Sequence, residues 1–227
     1  MTNVDVAIVG AGISGLSVAR GLIAAERSVH IFEARGRSGG RMLSAEVSGG
    51  FADLGPTWFW PNEARILSLI SEFDIGVHRQ FAEGNGLVTV QGETQRVRGF
   101  GVAPAFRFSN GAQSLSTALT NDLPDGTISY DAPVTRIERG DKQITVHTAD
   151  STMTATAVVL CLPPSLVVSA GIVGTGELEA SVVEAAAQVP VWMGAITKAV
   201  AVYEHAFWRD RALIIPDSPR SRQNACS

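Results

Sequence analysis

Hydrophobic and polar positions in the first 35 residues follow two periods, and the change between them falls at a glycine cluster. Val4 to Val9 is an apolar run of strand length, Ile13 to Ala25 repeats its apolar positions at helical spacing, and Ser28 to Glu33 returns to a strand. That order predicts a βαβ unit. Farther on, "TISYDAPVTRIERG" leads into a stretch where Ile144, Val146 and His147 stand among threonines, followed by the continuous apolar run Ala157 to Leu162. These read as strands of the same layer, with the continuous run at its centre. Helical spacing recurs over Asn62 to Phe73, Ala112 to Leu123 and Glu177 to Gln188. Between Gly76 and Asn110 it gives way to short alternating segments such as "GLVTVQGETQRVRG", which predict hairpins and a change of domain. After Ala206 the chain turns polar, rich in Pro and Ser, and unpatterned.

Composition narrows the classes. With 45% hydrophobic and 18% charged residues, 227 residues suffice for a packed core. A net charge of -4 and the lack of any basic run argue against nucleic acid as a partner. No stretch approaches the roughly 20 apolar residues of a membrane span. Asp5 interrupts the first apolar run and no basic residue precedes it, so no secretory signal is expected and the expected compartment is cytoplasmic. The two cysteines, Cys161 and Cys226, offer neither a disulfide framework nor a metal-ligand spacing, and no metal is expected.

The glycine cluster carries the first chemistry. Gly10, Gly12 and Gly15 form a GxGxxG directly after a strand and at the start of a helix. Their expected tasks are a tight turn, close approach of a pyrophosphate to the backbone, and close packing of helix on strand, with the helix N-terminus facing the anion. Glu33 ends the second strand about 20 residues farther on, where a carboxylate accepts from ribose hydroxyls and favours FAD or NAD over NADP. The plainer alternative is a sharp turn beside a solvated surface acid. Gly39-Gly40-Arg41 then repeats the combination of backbone access with a guanidinium suited to a diphosphate. The expected fold is α/β, a Rossmann-like dinucleotide-binding domain over 1–78 and 110–188, interleaved with an incomplete β or α+β substrate domain over 79–109 and 189–227.

With "EARGRSGGR" added to the fingerprint, the sequence resembles the flavin-containing amine oxidase superfamily, which includes monoamine, polyamine and L-amino-acid oxidases. The resemblance continues in family order through "FADLGPTWFWPNEARILSLISEFDI", "FRFSNGAQSLSTAL", "APVTRIER" and "VWMGAITKAVAVYEHAFWRD". It implies non-covalent FAD, a small-molecule amine substrate and oxygen. It assigns Ile13 and the Ser14 backbone to the pyrophosphate, Glu33 to the adenosine ribose, Arg35 to the adenosine end, and Gly40 and Arg41 to the diphosphate. Gly55, Pro56, Thr57 and Trp58 fall beside the isoalloxazine, and Val134 at the adenine. Taken singly, Arg35 and Arg37 also read as solvated loop cations, and Val134 as a strand residue without a ligand.

Lys198 is a lone cation in an apolar run that reads as a strand, so it must snorkel to water, pair with an acid or meet a functional partner. The resemblance implies the third: the family's lysine at the end of this Gly-x-x-x-Lys run holds a water beside the flavin and assists reoxidation. His30 and His147 have no partner spacing for a metal or a triad and read as core or edge residues. Trp58, Phe59 and Trp60 read equally as pocket wall or as core.

Three departures from the family are visible. The segment from Phe81 to Phe106 is shorter than the corresponding insertion of monoamine oxidases. The family's later stretch, which returns to the flavin with the second wall of an aromatic cage, does not follow "FWRD". Cys226 lacks the surroundings of a flavin-linking cysteine. Together these imply a shortened or N-terminal portion that leaves one side of the pocket open, and an exposed apolar surface that favours self-association.

Overall fold

The computed structural model describes residues 2–82, 84–97, 103–172, 178–191, 196–207 and 213–214. Glu177, Gly194, Trp208 and Cys226, all used in the sequence reading, lie outside them. The chain opens as expected with β1 (Thr2–Val9), α1 (Ile13–Ala24) and β2 (Val29–Phe32), then adds a hairpin of β3 (Ser44–Val47) and β4 (Gly50–Asp53). Helix α2 (Ala64–Glu72) and β5 (Val77–Arg79) precede a second hairpin, β6 (Asn85–Val90) and β7 (Glu93–Val97). Next come β8 (Phe106–Phe108), α3 (Gln113–Asn121), β9 (Ile128–Ser129), β10 (Arg136–Arg139), β11 (Ile144–His147) and β12 (Thr152–Leu160). The short α4 (Pro164–Ser169), then α5 (Ala180–Gln188) and β13 (Leu213–Ile214), complete the order.

The central sheet runs β10-β11-β12-β1-β2-β9. Its β12-β1-β2-β9 part is parallel, and β10 and β11 extend it as an antiparallel meander. The apolar run expected at the centre is there, since β12 pairs with β1 from Thr2↔Met153 to Val9↔Leu160. Strand alternation sends β1 into both faces. Ile8 joins Leu16 and Ala19 of α1, Ile31, Leu119 and Leu123, whereas Ala7 and Val9 join Phe32, Ile137, Val146 and Ala155. A third core of Met42, Phe59, Phe108, Ala112 and Leu115 ties α2, α3 and β8 together. Arg20 of α1 bridges outward to Glu72 and Asp122, clamping the three helices at the surface.

Two expectations change. The β3/β4 hairpin is absent from the sequence reading, because "SAEVSGGFAD" is poor in β-branched residues and offers no long alternation. The apolar run around Lys198, read as a strand, forms no regular element over 196–203, and Ile196, Val200, Val202 and Tyr203 are exposed. The hairpin expected within 76–110 is present and turns at Gln91 and Gly92, both with positive φ, as a two-residue loop between twisted strands requires.

Candidate functional site

The three fingerprint glycines differ in what a side chain would meet. A methyl group on Gly15 would sit 1.9 Å from the Gly10 carbonyl oxygen, and one on Gly10, whose φ is +102°, would sit 2.9 Å from the Cys161 carbonyl. Those two are demanded by packing within the protein. A methyl group on Gly12 meets nothing within 4 Å. No packing within the described residues demands a glycine there, which leaves room for the close approach expected of the second glycine. Gly12 also caps α1 without any side-chain hydrogen bond, and the first turn holds no acid. The amides of Ser14 and Gly15 find no acceptor among the described residues, so the positive end of a three-turn helix faces outward there.

The Gly39-Gly40-Arg41 loop lies against this cradle. Gly39 donates its amide to the Ala11 carbonyl at 2.8 Å and bridges Gly12, and a methyl group on Gly40 would come within 3.3 Å of the Gly12 Cα. Gly39 and Gly40 both have positive φ, and the amides of Gly40 and Arg41 have no acceptor among the described residues. Consecutive amides left open in this way form a concave anion site. Arg37 shapes the loop: its guanidinium donates to the Ser38 carbonyl at 3.0 Å and the Gly40 carbonyl at 2.9 Å. The solvated alternative for Arg37 is thereby replaced by a bracing role. Only its position just ahead of two glycines hinted at this. Arg35 and Arg41 are exposed.

Glu33 is 6% exposed, and each carboxylate oxygen already accepts a backbone amide, from Ala11 at 2.8 Å and from Arg35 at 3.0 Å. The surface-acid alternative is excluded, because the carboxylate locks the loop after β2 onto the glycine turn. Val134 is buried in the core beside Val9 and Phe32, just ahead of β10. Any adenine contact there falls to its backbone.

The segment expected beside the isoalloxazine follows directly. Gly55 packs so closely on the loop that a methyl group would lie 2.0 Å from the Arg41 carbonyl. Thr57 is buried, Pro56 and Trp58 are exposed, and Phe59 is core, stacked on Phe106 at 5.8 Å between ring centres. The aromatic trio thus divides: Phe59 packs inside while Trp58 and Trp60 face out. Onto this segment comes Lys198, whose ammonium donates to the Gly55 carbonyl at 3.1 Å and to the Thr57 hydroxyl. Lys198 is exposed, so contacts such as these, not burial in a strand, define its place. The predicted residues accordingly form one strip, from Ser14 and Gly12 through Gly40, Arg41 and Gly55 to Thr57 and Lys198.

The histidines lie elsewhere. His30 meets the Ser129 hydroxyl at 2.8 Å, and burial pushes its pKa below the ordinary value; His147 meets Glu138 at 2.8 Å. Burial also pushes the Cys161 thiol pKa above its ordinary value. No group of His, Cys, Asp and Glu among the described residues is arranged to hold a metal, and no described helix is long and apolar enough to cross a membrane. An apolar groove between α1, α2 and the end of α3 is lined by Ile23, Leu69 and Leu123 and includes no residue of the strip.

Several known proteins are similar to this chain. The putrescine oxidase of Kocuria rosea is 41% identical over 83 residues, which is 37% of this chain and 17% of that enzyme. This chain therefore spans, in matched sequence, less than a quarter of that relative's length. Putrescine oxidase bound to putrescine superposes with a TM-score of 0.77 at 19% identity, covering 93% of this chain and 68% of that one. A fatty acid isomerase from P. acnes shares the fold at a TM-score of 0.66 and 15% identity, over 80% of this chain and 63% of the other. The family described as flavin containing amine oxidoreductase matches residues 13–98 and 86–225. With its profile running from the first turn of α1 past Lys198, this chain belongs to the flavin containing amine oxidoreductase family.

Proposed function

We propose that this chain holds FAD without a covalent link and, as part of an oxidase fold, oxidises a small-molecule amine with oxygen as the final acceptor. The observation that carries the reading is the Lys198 ammonium on the Gly55 carbonyl and Thr57 hydroxyl, which joins the far end of the chain to the segment assigned to the flavin ring. The cradle fits a dinucleotide, since Gly12 is open to the outside and the amides of Ser14, Gly15, Gly40 and Arg41 have no acceptor among the described residues. Those amides and the Arg41 guanidinium would hold the diphosphate, and Val134 would offer its backbone to the adenine. When bound, the flavin supplies a ring that takes a hydride equivalent from the carbon bearing the amine and passes the electrons to oxygen.

The protein's own share is placement and charge. Lys198 fixes a positive charge beside the Gly55 to Trp58 segment, where it stabilises negative charge developing at the ring and on reduced oxygen. Thr57 and the Gly55 carbonyl hold that ammonium in one position. Trp58 and Trp60 present aromatic faces outward, suited to walls for an amine.

A second reading is a nucleotide-binding chain that turns nothing over. It is favoured by the exposed apolar run 196–207, which leaves the Lys198 side of the strip uncovered and equally supports association between copies. The fold shared with a fatty acid isomerase keeps carbon-carbon chemistry as a third option. One experiment separates them: the purified chain is loaded with FAD, reduced anaerobically with putrescine or another amine, and reoxidised in air while peroxide is measured. The enzyme reading expects bleaching by an amine and slower reoxidation, by about tenfold or more, in Lys198→Met. Bound FAD that no amine bleaches supports the second reading, and a chain that cannot be loaded removes the first two.

A further inference from the structure

Strands β3 and β4 form a two-stranded sheet of their own. Two strands alone are marginal in water, and of this pair only Ala52 and Asp53 are buried. The contacts that fasten the hairpin to the rest of the fold are polar. Asp53 Oδ1 accepts the Ser44 hydroxyl at 2.7 Å across the pair and the Ala112 amide at 2.7 Å from the start of α3. Ser44 completes the join: its hydroxyl accepts the Gln113 amide at 3.1 Å, and its own amide donates to Gln113 Oε1 at 3.0 Å. Helix α3 has no side-chain cap of its own and no acid in its first turn. Its N-terminus is met instead by a carboxylate 59 residues away in the chain and 7% exposed. Gly111 makes room for this approach, since it takes a φ of +75° and a side chain there would begin 2.5 Å from Ser44 Oγ.

The segment that meets Lys198 begins where this hairpin closes. Leu54 and Gly55 donate their amides to the Leu43 carbonyl at 2.8 and 3.2 Å, directly past the Ser44↔Asp53 pair. Downstream, Phe59 and Phe106 each donate an amide to the other's carbonyl at 2.9 Å. Gly55 to Trp58 is thus suspended between an apolar anchor at Phe59 and a polar one at Asp53. We infer that Asp53 is a positioning residue: by fixing the mouth of the hairpin on α3, its carboxylate sets where the Gly55 carbonyl and the Thr57 hydroxyl receive the Lys198 ammonium. The inference deepens the reading above and takes from it the task given to Lys198. A displaced support lowers the rate of a step it never touches, because the charge it places is then out of position. Helix α3 carries the same support to the glycine cradle. The Thr120 and Ser38 hydroxyls lie 2.8 Å apart, and a side chain on Gly39 would begin 2.7 Å from Ser116 Oγ.

Lys142 and Lys198 are the only lysines of the sequence, so Lys142, exposed between β10 and β11, serves as an internal reference. Trace acetylation of the full chain without flavin, read by peptide mass spectrometry, gives the ratio of the two rates. An ammonium held by two acceptors gives up its proton less readily, and Lys198 is expected to react about fivefold more slowly than Lys142. Asp53→Ala should bring the two rates within about twofold of each other, whereas Asp53→Asn, which keeps an oxygen for both donors, should retain the wild-type ratio. Val146→Ala opens a cavity in the sheet core away from the hairpin and should leave the ratio unaltered, which separates positioning from general loosening. If Asp53→Ala does not fold, Ser44→Ala takes its place, with a rise in Lys198 labelling of about twofold. In the chain loaded with FAD, Asp53→Ala should slow reoxidation by about threefold or more, yet add nothing in a Lys198→Met background. Wild-type lysines that react alike, a ratio that the Asp53 and Ser44 variants leave unmoved, or an equal shift in Val146→Ala overturns the assignment. A chain that no amine reduces removes the oxidase reading, while the labelling still decides the placement of Lys198.

Discussion

β1 and the run 196–207 are both strongly apolar, and they meet opposite fates. Ala7 and Ile8 of β1 are 0% exposed, whereas Ile196, Val202 and Tyr203 are 53%, 52% and 57% exposed, and α5 ahead of them buries no residue. β1 has a strand on each side and a layer on each face; the later run has no paired strand and touches the rest of the site through Lys198. Apolar sequence therefore reports that a segment needs a covering layer, not that one is present. The contrast also separates two kinds of functional residue. The glycine cradle is part of a finished core, while the Lys198 contact is made by a segment that adds little to the core.

The contrast can be broken from its strongest side first. Gly15→Val would drive a side chain into the Gly10 carbonyl, and a loss of about 3 kcal/mol or more is expected in denaturant unfolding, enough to leave the chain largely unfolded. Gly12→Ala, two turns of the same argument away, is expected to stay within about 0.5 kcal/mol of wild type while weakening ADP-ribose binding. Equal destabilisation by both would show that Gly12 is a packing glycine like its neighbours.

Next in size, Leu16→Ala should cost about 2–5 kcal/mol, since Leu16 is 0% exposed between α1 and β1. Val202→Ser should change stability by no more than about 0.5 kcal/mol. A cost at Val202 close to that at Leu16 would mean the run 196–207 is covered in solution, and sedimentation at two concentrations would show whether a second copy covers it.

The smallest effect concerns His30. Burial holds its folded pKa below the ordinary value of about 6.5. Above that pH the ring is neutral in both states and makes no difference to stability. As pH falls below it, the unfolded chain takes up the proton first, and stability declines until the folded pKa is passed. His30→Phe should flatten the unfolding midpoint between pH 6.5 and 5, and an unaltered slope would place the titrating group elsewhere.

What the sequence disclosed follows from how local each interaction is. Gly10, Gly12, Gly15 and Glu33 lie within one βαβ unit, and their spacing alone implied a turn, a helix terminus and an acid at the next strand end. Lys198 reaches Gly55 and Thr57 across the length of the chain, so the residues themselves left three explanations open and only the family resemblance chose among them. The bracing role of Arg37 left little trace in the sequence beyond its place ahead of two glycines, because its acceptors are backbone carbonyls. The β3/β4 hairpin escaped notice because its register is held by Ser44 and Asp53, whose side chains bond each other at 2.7 Å, not by an apolar alternation.

The place of β1 between β2 and β12 also sets an order of events during synthesis. β2 emerges within a few dozen residues of β1 and can pair at once, but the other edge waits for the segment that begins at Thr152. Closing so long a loop adds only about 0.6 kcal/mol for each doubling of length, so the delay is one of time. Until β12 leaves the ribosome, a strand that ends up buried on both faces keeps an unpaired edge, and this is the interval in which a nascent chain is open to a chaperone or to a neighbouring copy.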